Sequence, residues 1–150
     1  MSAAGLRPRL LGIDFGRARI GVAISDELQF LAHPLETIPG DSLEKAATRV
    51  AEIVRERNVD LVVVGLPRHM NGSLGEAANE ATAFAEKLRP LLPCKVITWD
   101  ERMSTLAAHR ALQSAGKTTR QTKSYVDQVA AQMILQGYLD SLQDAPPPSE

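Results

Sequence analysis

Residues 10–25 read LLGIDFGRARIGVAIS, and this stretch predicts two buried strands joined by a tight turn. The first strand is predicted over Leu10–Asp14 and the second over Arg19–Ser25, with Gly16 in the turn. Because parallel strands need a long crossover, so short a connection favours an antiparallel hairpin. A carboxylate that ends an apolar strand needs a cationic partner, and a metal ion, an arginine or a helix N-terminus would each serve Asp14.

The composition is typical of a globular protein. The 150 residues are enough for one domain with its own core, and 44% of them are hydrophobic and 23% charged. A net charge of -1 means that any binding to nucleic acid must come from a local basic surface. The single Cys94 excludes an internal disulfide and fits a reducing compartment. Without a signal-peptide core or a membrane-spanning run, we expect a cytoplasmic protein with no membrane partner.

The rest of the chain alternates apolar strands with amphipathic helices. Pro34 predicts that the third strand lies at a sheet edge or carries a bulge. The β-branched run in the fourth strand predicts burial on both faces. The predicted elements are a strand over Phe30–Ile38, a helix from an Asp41–Glu44 capping box to about Asn58, a strand over Leu61–Val64, a helix over Glu76–Arg89, a strand over Lys95–Trp99, and helices over Ser104–Ala115 and Ser124–Leu142.

This order of elements, β-β-β-α-β-α-β-α-α, predicts a single α/β domain. It spans about residues 10–142, with tails at 1–8 and 144–150. A three-stranded antiparallel meander followed by β-α-β crossovers builds a mixed five-stranded sheet flanked by helices. Binding sites on such sheets form at the carboxyl ends of the parallel strands, so that rim is where we expect the functional residues.

Several carboxylates are predicted at this rim. Asp14 ends the first strand, Asp100 and Glu101 follow the fifth, and Asp127 lies near the start of the last helix. Carboxylate oxygens bind Mg²⁺, and two such ions can activate water and stabilise the leaving oxygen in phosphodiester cleavage. Each acid also has a structural interpretation, which is a solvated turn for Asp100 and Glu101 and helix capping for Asp127.

A local basic surface is also predicted. No carboxylate occurs between Arg102 and Val126, whereas hydroxyl, amide and cationic side chains are frequent there. Such groups contact a nucleic-acid backbone without reading its sequence, although a solvated loop would have the same composition. Arg17, Arg19, and Arg68 with His69 could extend the surface. The cations in the acid-free stretch are Arg102, Arg110, Lys117, Arg120 and Lys123.

Five short motifs in order along residues 11–139 resemble the YqgF/RuvX family of RNase H-like proteins, which are related to the Holliday-junction resolvase RuvC. Two departures from the family pattern are Ala18, where many members have Lys, and Asn71, where many have Asp. The motifs are Gly12–Gly16 with Arg19–Ala23, Ser25–Asp26, Val64–Pro67 with Asn71–Gly72, Asp100–Arg102 with Ser104–Thr105, and Val126–Asp127 with Ala130–Ala131 and Ile134–Leu135.

The resemblance implies an RNase H-like fold and an endonuclease in which Asp14, Glu101 and Asp127 bind Mg²⁺ or Mn²⁺. Asp100 remains an alternative to Glu101. The implied substrate is the 5′ end of pre-16S rRNA in ribosome biogenesis, with Holliday junctions or a non-catalytic, transcription-regulating role as alternatives. We expect a monomer or weak homodimer, since a resolvase of symmetric junctions would be a two-fold dimer. The expected nucleic-acid contacts are Arg19, Arg102, Lys117, Arg120 and Lys123.

Overall fold

Five strands and three α-helices make up the part of the chain that the structure, a computed structural model, describes, which is residues 8–67, 75–101 and 120–144. The predicted helix over Ser104–Ala115 and the predicted loop after Pro67 lie outside these ranges. In chain order the elements are β1 (Arg9–Asp14), β2 (Arg19–Ser25), β3 (Ala32–Pro39), α1 (Leu43–Glu56), β4 (Val59–Leu66), α2 (Glu76–Leu88), a 3₁₀ helix (Arg89–Leu91), β5 (Lys95–Asp100) and α3 (Arg120–Asp144).

The five strands form one mixed sheet in the order β3-β2-β1-β4-β5. β2 pairs antiparallel with both β1 and β3, whereas β4 pairs parallel with β1 and with β5. This confirms the predicted meander extended by two parallel strands. Both expectations for Pro34 are confirmed, because β3 is an edge strand and its register with β2 shifts between Val22 and Ala23, where Pro34 pairs.

The turn between β2 and β3 is longer than the sequence predicted. Asp26 Oδ1 accepts hydrogen bonds from the backbone N–H groups of Phe30, at 2.8 Å, and Leu31, at 3.3 Å. Gln29 has a positive φ of 62°. These bonds hold residues 26–31 in a turn, so β3 begins at Ala32 and the predicted start at Phe30 is wrong.

The first helix begins differently from the predicted capping box. Its N-cap is Ser42, whose hydroxyl accepts from the backbone N–H of Lys45 at 3.3 Å. Glu44 instead forms an ion pair with Lys87 of α2. The prediction of an Asp41–Glu44 capping box is therefore wrong. The helix ends at Glu56, and Asn58 follows with a φ of 56°.

Alternate residues of the strands supply two cores, one on each face of the sheet. On one face, strand residues such as Leu11, Val22 and Val64 pack with α1 and α2, around Phe84. On the other face, Leu10, Ala23 and Val63 pack with α3. The middle of β4 is buried on both faces, as predicted. The α3 residues in the second core are Ala130, Ala131, Ile134, Leu135 and Leu139.

Three glutamines spaced four residues apart fix α3 along β3. Gln128 Nε2 donates to Thr37 Oγ1 at 3.1 Å, and Gln132 Nε2 donates to the carbonyl of Ala32 at 2.9 Å. Gln136 accepts from the N–H of Ala32 at 2.9 Å. Residues spaced by four share one face of a helix, so these bonds set the position of α3 on the sheet. Among the described residues, no helix has the length and apolar character needed to span a membrane.

Candidate active site

Asp14 lies between two glycines at the rim of the sheet. Gly21 of β2 pairs directly with Asp14. On the other side, the pairing of Ile13 with Val64 places Asp14 beside Gly65 of β4. Asp14 is 7% exposed. Because neither neighbour carries a side chain, this position of the sheet has room for groups that approach from above.

The face that Asp14 shares is the one covered by α3. A Cβ atom added to Gly12 would lie 2.7 Å from Leu135 Cβ and 2.9 Å from the carbonyl oxygen of Ala131. Gly12 and Asp14 are two residues apart on one strand, so they face the same way. Asp14 is therefore on the α3 side of the sheet, and the apolar core of α1 and α2 lies on the opposite side.

Asp127 is brought to Asp14 by a close crossing of α3 over β2. A Cβ atom on Gly21 would lie 1.9 Å from the backbone carbonyl oxygen of Asp127, so only glycine allows this approach. Since α3 begins at Arg120, Asp127 is about two turns inside the helix. The interpretation of Asp127 as a helix cap is therefore wrong, and the predicted helix start at Ser124 is too late.

The carboxylate of Asp127 forms an ion pair with Arg19. Arg19 Nε donates to Asp127 Oδ2 at 2.5 Å. The Asp127 side chain is 19% exposed and that of Arg19 is 40% exposed. Arg19 was predicted to contact nucleic acid, and its pairing with Asp127 was not anticipated. The two residues are 108 positions apart, so no local pattern indicates the contact.

Glu101 lies on the other flank of Asp14. It follows β5, is 8% exposed, and its Oε2 is 3.1 Å from the position that a Cβ atom of Gly65 would take. Asp100 differs in direction. Trp99 packs with the α3 core and Val96 with the opposite core, so the alternation along β5 places Asp100 on the face away from α3. Glu101 therefore shares a face with Asp14.

The chemistry of these donors fits a hard divalent cation. Asp14, Glu101 and Asp127 offer carboxylate oxygens, which Mg²⁺ and Mn²⁺ prefer. Within the described ranges, however, no three His, Cys, Asp or Glu side chains are grouped closely enough to bind a metal ion. The carboxylate of Asp127 is turned to Arg19, so the donor set is not gathered into one group.

The other predicted basic residues are placed only in part. Arg120 and Lys123 belong to the first turns of α3, ahead of Asp127, and their side chains are outside the described set. Arg102 and Lys117 lie outside the described ranges, as does Asn71. The expected basic surface therefore remains a prediction that rests on the sequence.

Two further contacts hold the turn that follows Asp14, and sequence reasoning missed both. Phe15 packs against Phe84 of α2, with ring centroids 5.0 Å apart. Arg17 donates to Glu80, at 2.7 Å, and to Glu76. These hydrogen bonds raise the pKa of Arg17 above its ordinary value. Because the Arg17 side chain is largely exposed, its two ion pairs contribute little to stability.

Sequence comparisons give the relatives of this chain. A family described as RuvX, Holliday junction resolvase, matches residues 8–141. A Bacillus cytotoxicus protein named "Putative pre-16S rRNA nuclease" is 49% identical over 135 residues, which cover 89% of this chain and 98% of that protein. A Bacillus mycoides protein of the same name is 46% identical over the same shares of the two chains.

Solved structures show the same fold at low sequence identity. RuvC of Thermus thermophilus in complex with a Holliday junction substrate is similar over 95% of this chain and 100% of that one, with a TM-score of 0.60 and 15% identity. The Fowlpox virus resolvase in complex with Holliday junction DNA covers 89% of this chain, with a TM-score of 0.50 and 14% identity. The predicted RNase H-like fold is confirmed. With the family match over residues 8–141 and relatives that are nearly half identical, the chain belongs to the RuvX family.

Proposed function

We propose that this protein is an endonuclease that hydrolyses phosphodiester bonds with Mg²⁺ or Mn²⁺ bound by Asp14, Glu101 and Asp127. The observation that carries the proposal is the position of Asp14 between two glycines, with Glu101 beside Gly65 and the backbone of Asp127 against Gly21. Asp14, Glu101 and the backbone of Asp127 lie near one another on the same face of the sheet, at the same rim. One domain, about residues 10–142, supplies all of them.

The acidic and basic side chains would have different roles in such a reaction. Asp14 and Glu101 are buried at the rim, and a cation stabilises a buried carboxylate. A bound divalent cation would supply Lewis acidity and a water of lowered pKa. Arg19 at the site, and the predicted cations Arg102, Lys117, Arg120 and Lys123, would bind the phosphate backbone of the substrate.

The leading substrate is the 5′ end of pre-16S rRNA, in the cytoplasm during ribosome biogenesis. The names of relatives that are 46–49% identical over almost the whole chain favour it. A four-way DNA junction is the second candidate, favoured by the family description. A non-catalytic nucleic-acid-binding role is the third, and it gives no reason for three acids to lie at the same rim of one face of the sheet.

A cleavage assay with matched variants tests this proposal. The purified chain with Mn²⁺ is given a pre-16S rRNA 5′-end fragment or a four-way DNA junction. We expect cleavage of the RNA that chelation abolishes and that Asp14→Asn lowers by more than about a hundredfold, because a charge-stabilising group at the reacting centre is lost. Asp60→Asn is the matched control, since Asp60 is exposed at the opposite end of the sheet, and its activity should equal that of the wild type.

The possible outcomes separate the three candidates. Unchanged cleavage by a folded Asp14→Asn variant would contradict the proposed site. Faster cleavage of the junction than of the RNA, by a two-fold dimer, would favour the resolvase. If the protein cleaves neither substrate and Asp14→Asn does not change its Mn²⁺ binding, the non-catalytic role is favoured.

A further inference from the structure

The side chain of Asp127 can take two orientations. Arg19 and Gly21 are two residues apart on β2, so both face α3. Because the backbone of Asp127 rests on Gly21, its carboxylate can turn toward Arg19 or toward Asp14, which pairs with Gly21. In this structure it is bonded to Arg19.

We propose that Arg19 competes with the divalent cation for Asp127. In the metal-free chain the guanidinium of Arg19 neutralises this carboxylate and turns it away from the other two acids. Binding of the cation then requires Asp127 to leave Arg19. The inference rests on the proposed metal site and adds to it a residue that lowers the affinity for the cation.

Electrostatics supports the competition. Without a metal, carboxylates turned toward one another at this rim would repel, and an arginine on one of them relieves the repulsion. With a divalent cation bound, a guanidinium at hydrogen-bond distance from the same carboxylate would lie within a few Å of two like charges. The two cations therefore oppose each other, and the ion pair of Arg19 should weaken binding of the divalent cation.

Arg17 provides an internal reference two residues away. It also donates through Nε to a carboxylate, Glu80, at 2.7 Å. That carboxylate belongs to α2, which packs on the opposite face of the sheet from Asp14. Arg17 therefore resembles Arg19 in sequence position and bonding and differs in that its carboxylate partners, Glu76 and Glu80, belong to α2.

The first test follows the arginine Nε–H signals of the whole wild-type chain by NMR during titration with Mg²⁺, which is diamagnetic. We expect the Arg19 signal to shift and its exchange with water to accelerate in step with Mg²⁺ saturation, while the Arg17 signal stays in place. Saturation with Mg²⁺ that leaves the Arg19 signal unmoved would overturn the competition. This measurement needs no variant.

The second test measures Mg²⁺ affinity by calorimetry. Removing the competitor in Arg19→Gln should tighten binding by at least about threefold, the scale of one such ion pair. Arg49→Gln, which removes an arginine of α1 whose Nε donates to Glu36 at 2.9 Å, is the control and should bind as the wild type does. Unchanged or weaker binding by Arg19→Gln would mean that Arg19 positions Asp127 and does not compete for it. If Asp14→Asn removes no Mg²⁺ binding that the wild type shows, the proposed metal site itself is overturned. That outcome differs from unchanged or weaker binding by Arg19→Gln, so failure of the metal site and failure of the competition are distinguishable.

Discussion

The two faces of the sheet are built in different ways. The face toward α1 and α2 presents large side chains from every strand, and side-chain packing holds it. The face toward α3 presents Gly12, Gly21 and Gly65, and there helix atoms approach the strand backbones directly. Glycine in a strand weakens the sheet and lets another backbone or a ligand come close. The first face is thus held by large side chains from every strand, and on the second the glycines let α3 carry Asp127 close to the strands.

Truncation of a core residue on the first face should have the largest effect on stability. Ile53 of α1 is 1% exposed in that core, and Ile53→Ala should lower the free energy of unfolding by about 2–5 kcal/mol through lost burial and a cavity. Urea unfolding measures this. The Mg²⁺ affinity of the folded protein should not change. Leu43→Ala, at an exposed position of the same helix, is the control and should cost less than about 1 kcal/mol.

A large fall in Mg²⁺ affinity for folded Ile53→Ala would contradict the separation of the two faces, because it would show that packing under α1 also sets the site.

A methyl group added on the second face should act on the site. Gly21→Ala places Cβ against the carbonyl oxygen of Asp127, so α3 must move, and we expect a loss of about 1–3 kcal/mol in unfolding free energy. Mg²⁺ affinity should fall as well, because Asp127 moves with the helix. Gly12→Ala clashes with α3 two turns further along, so it should reduce stability similarly and Mg²⁺ affinity less.

Calorimetry on both glycine variants makes this comparison. If folded Gly21→Ala binds Mg²⁺ as tightly as the wild type, the close crossing of α3 is not what delivers Asp127 to the site.

The antiparallel meander was predictable because it depends on local patterns. Short continuous apolar runs mark β1 and β2, and a short turn between them allows only an antiparallel pair. Pro34 marked an edge and a bulge because it cannot donate a hydrogen bond. The start of α1 was predicted wrongly because Asp41 and Ser42 are both good caps, and the choice between them depends on how the chain leaves β3.

The parts of the site that were not predictable depend on long-range packing. Gly21 and Gly65 could have been recognised as positions where another group comes close to the strand, since each interrupts an apolar strand. The sequence does not show that this group is the last helix. The pair of Arg19 and Asp127 joins residues 108 positions apart. The choice between Asp100 and Glu101 required the length of β5, because one further strand residue reverses which of the two faces α3.

The measurement that tests the account most directly compares the two neighbouring acids after β5. Mn²⁺ affinity and RNA cleavage are measured for Glu101→Gln and Asp100→Asn, both checked for retained fold. We expect Glu101→Gln to weaken Mn²⁺ binding by more than about tenfold, as loss of a ligand or its support does, and to abolish cleavage. Asp100→Asn, altered on the opposite face, should match the wild type. Loss of binding and cleavage in Asp100→Asn with both retained in Glu101→Gln would contradict the proposed site.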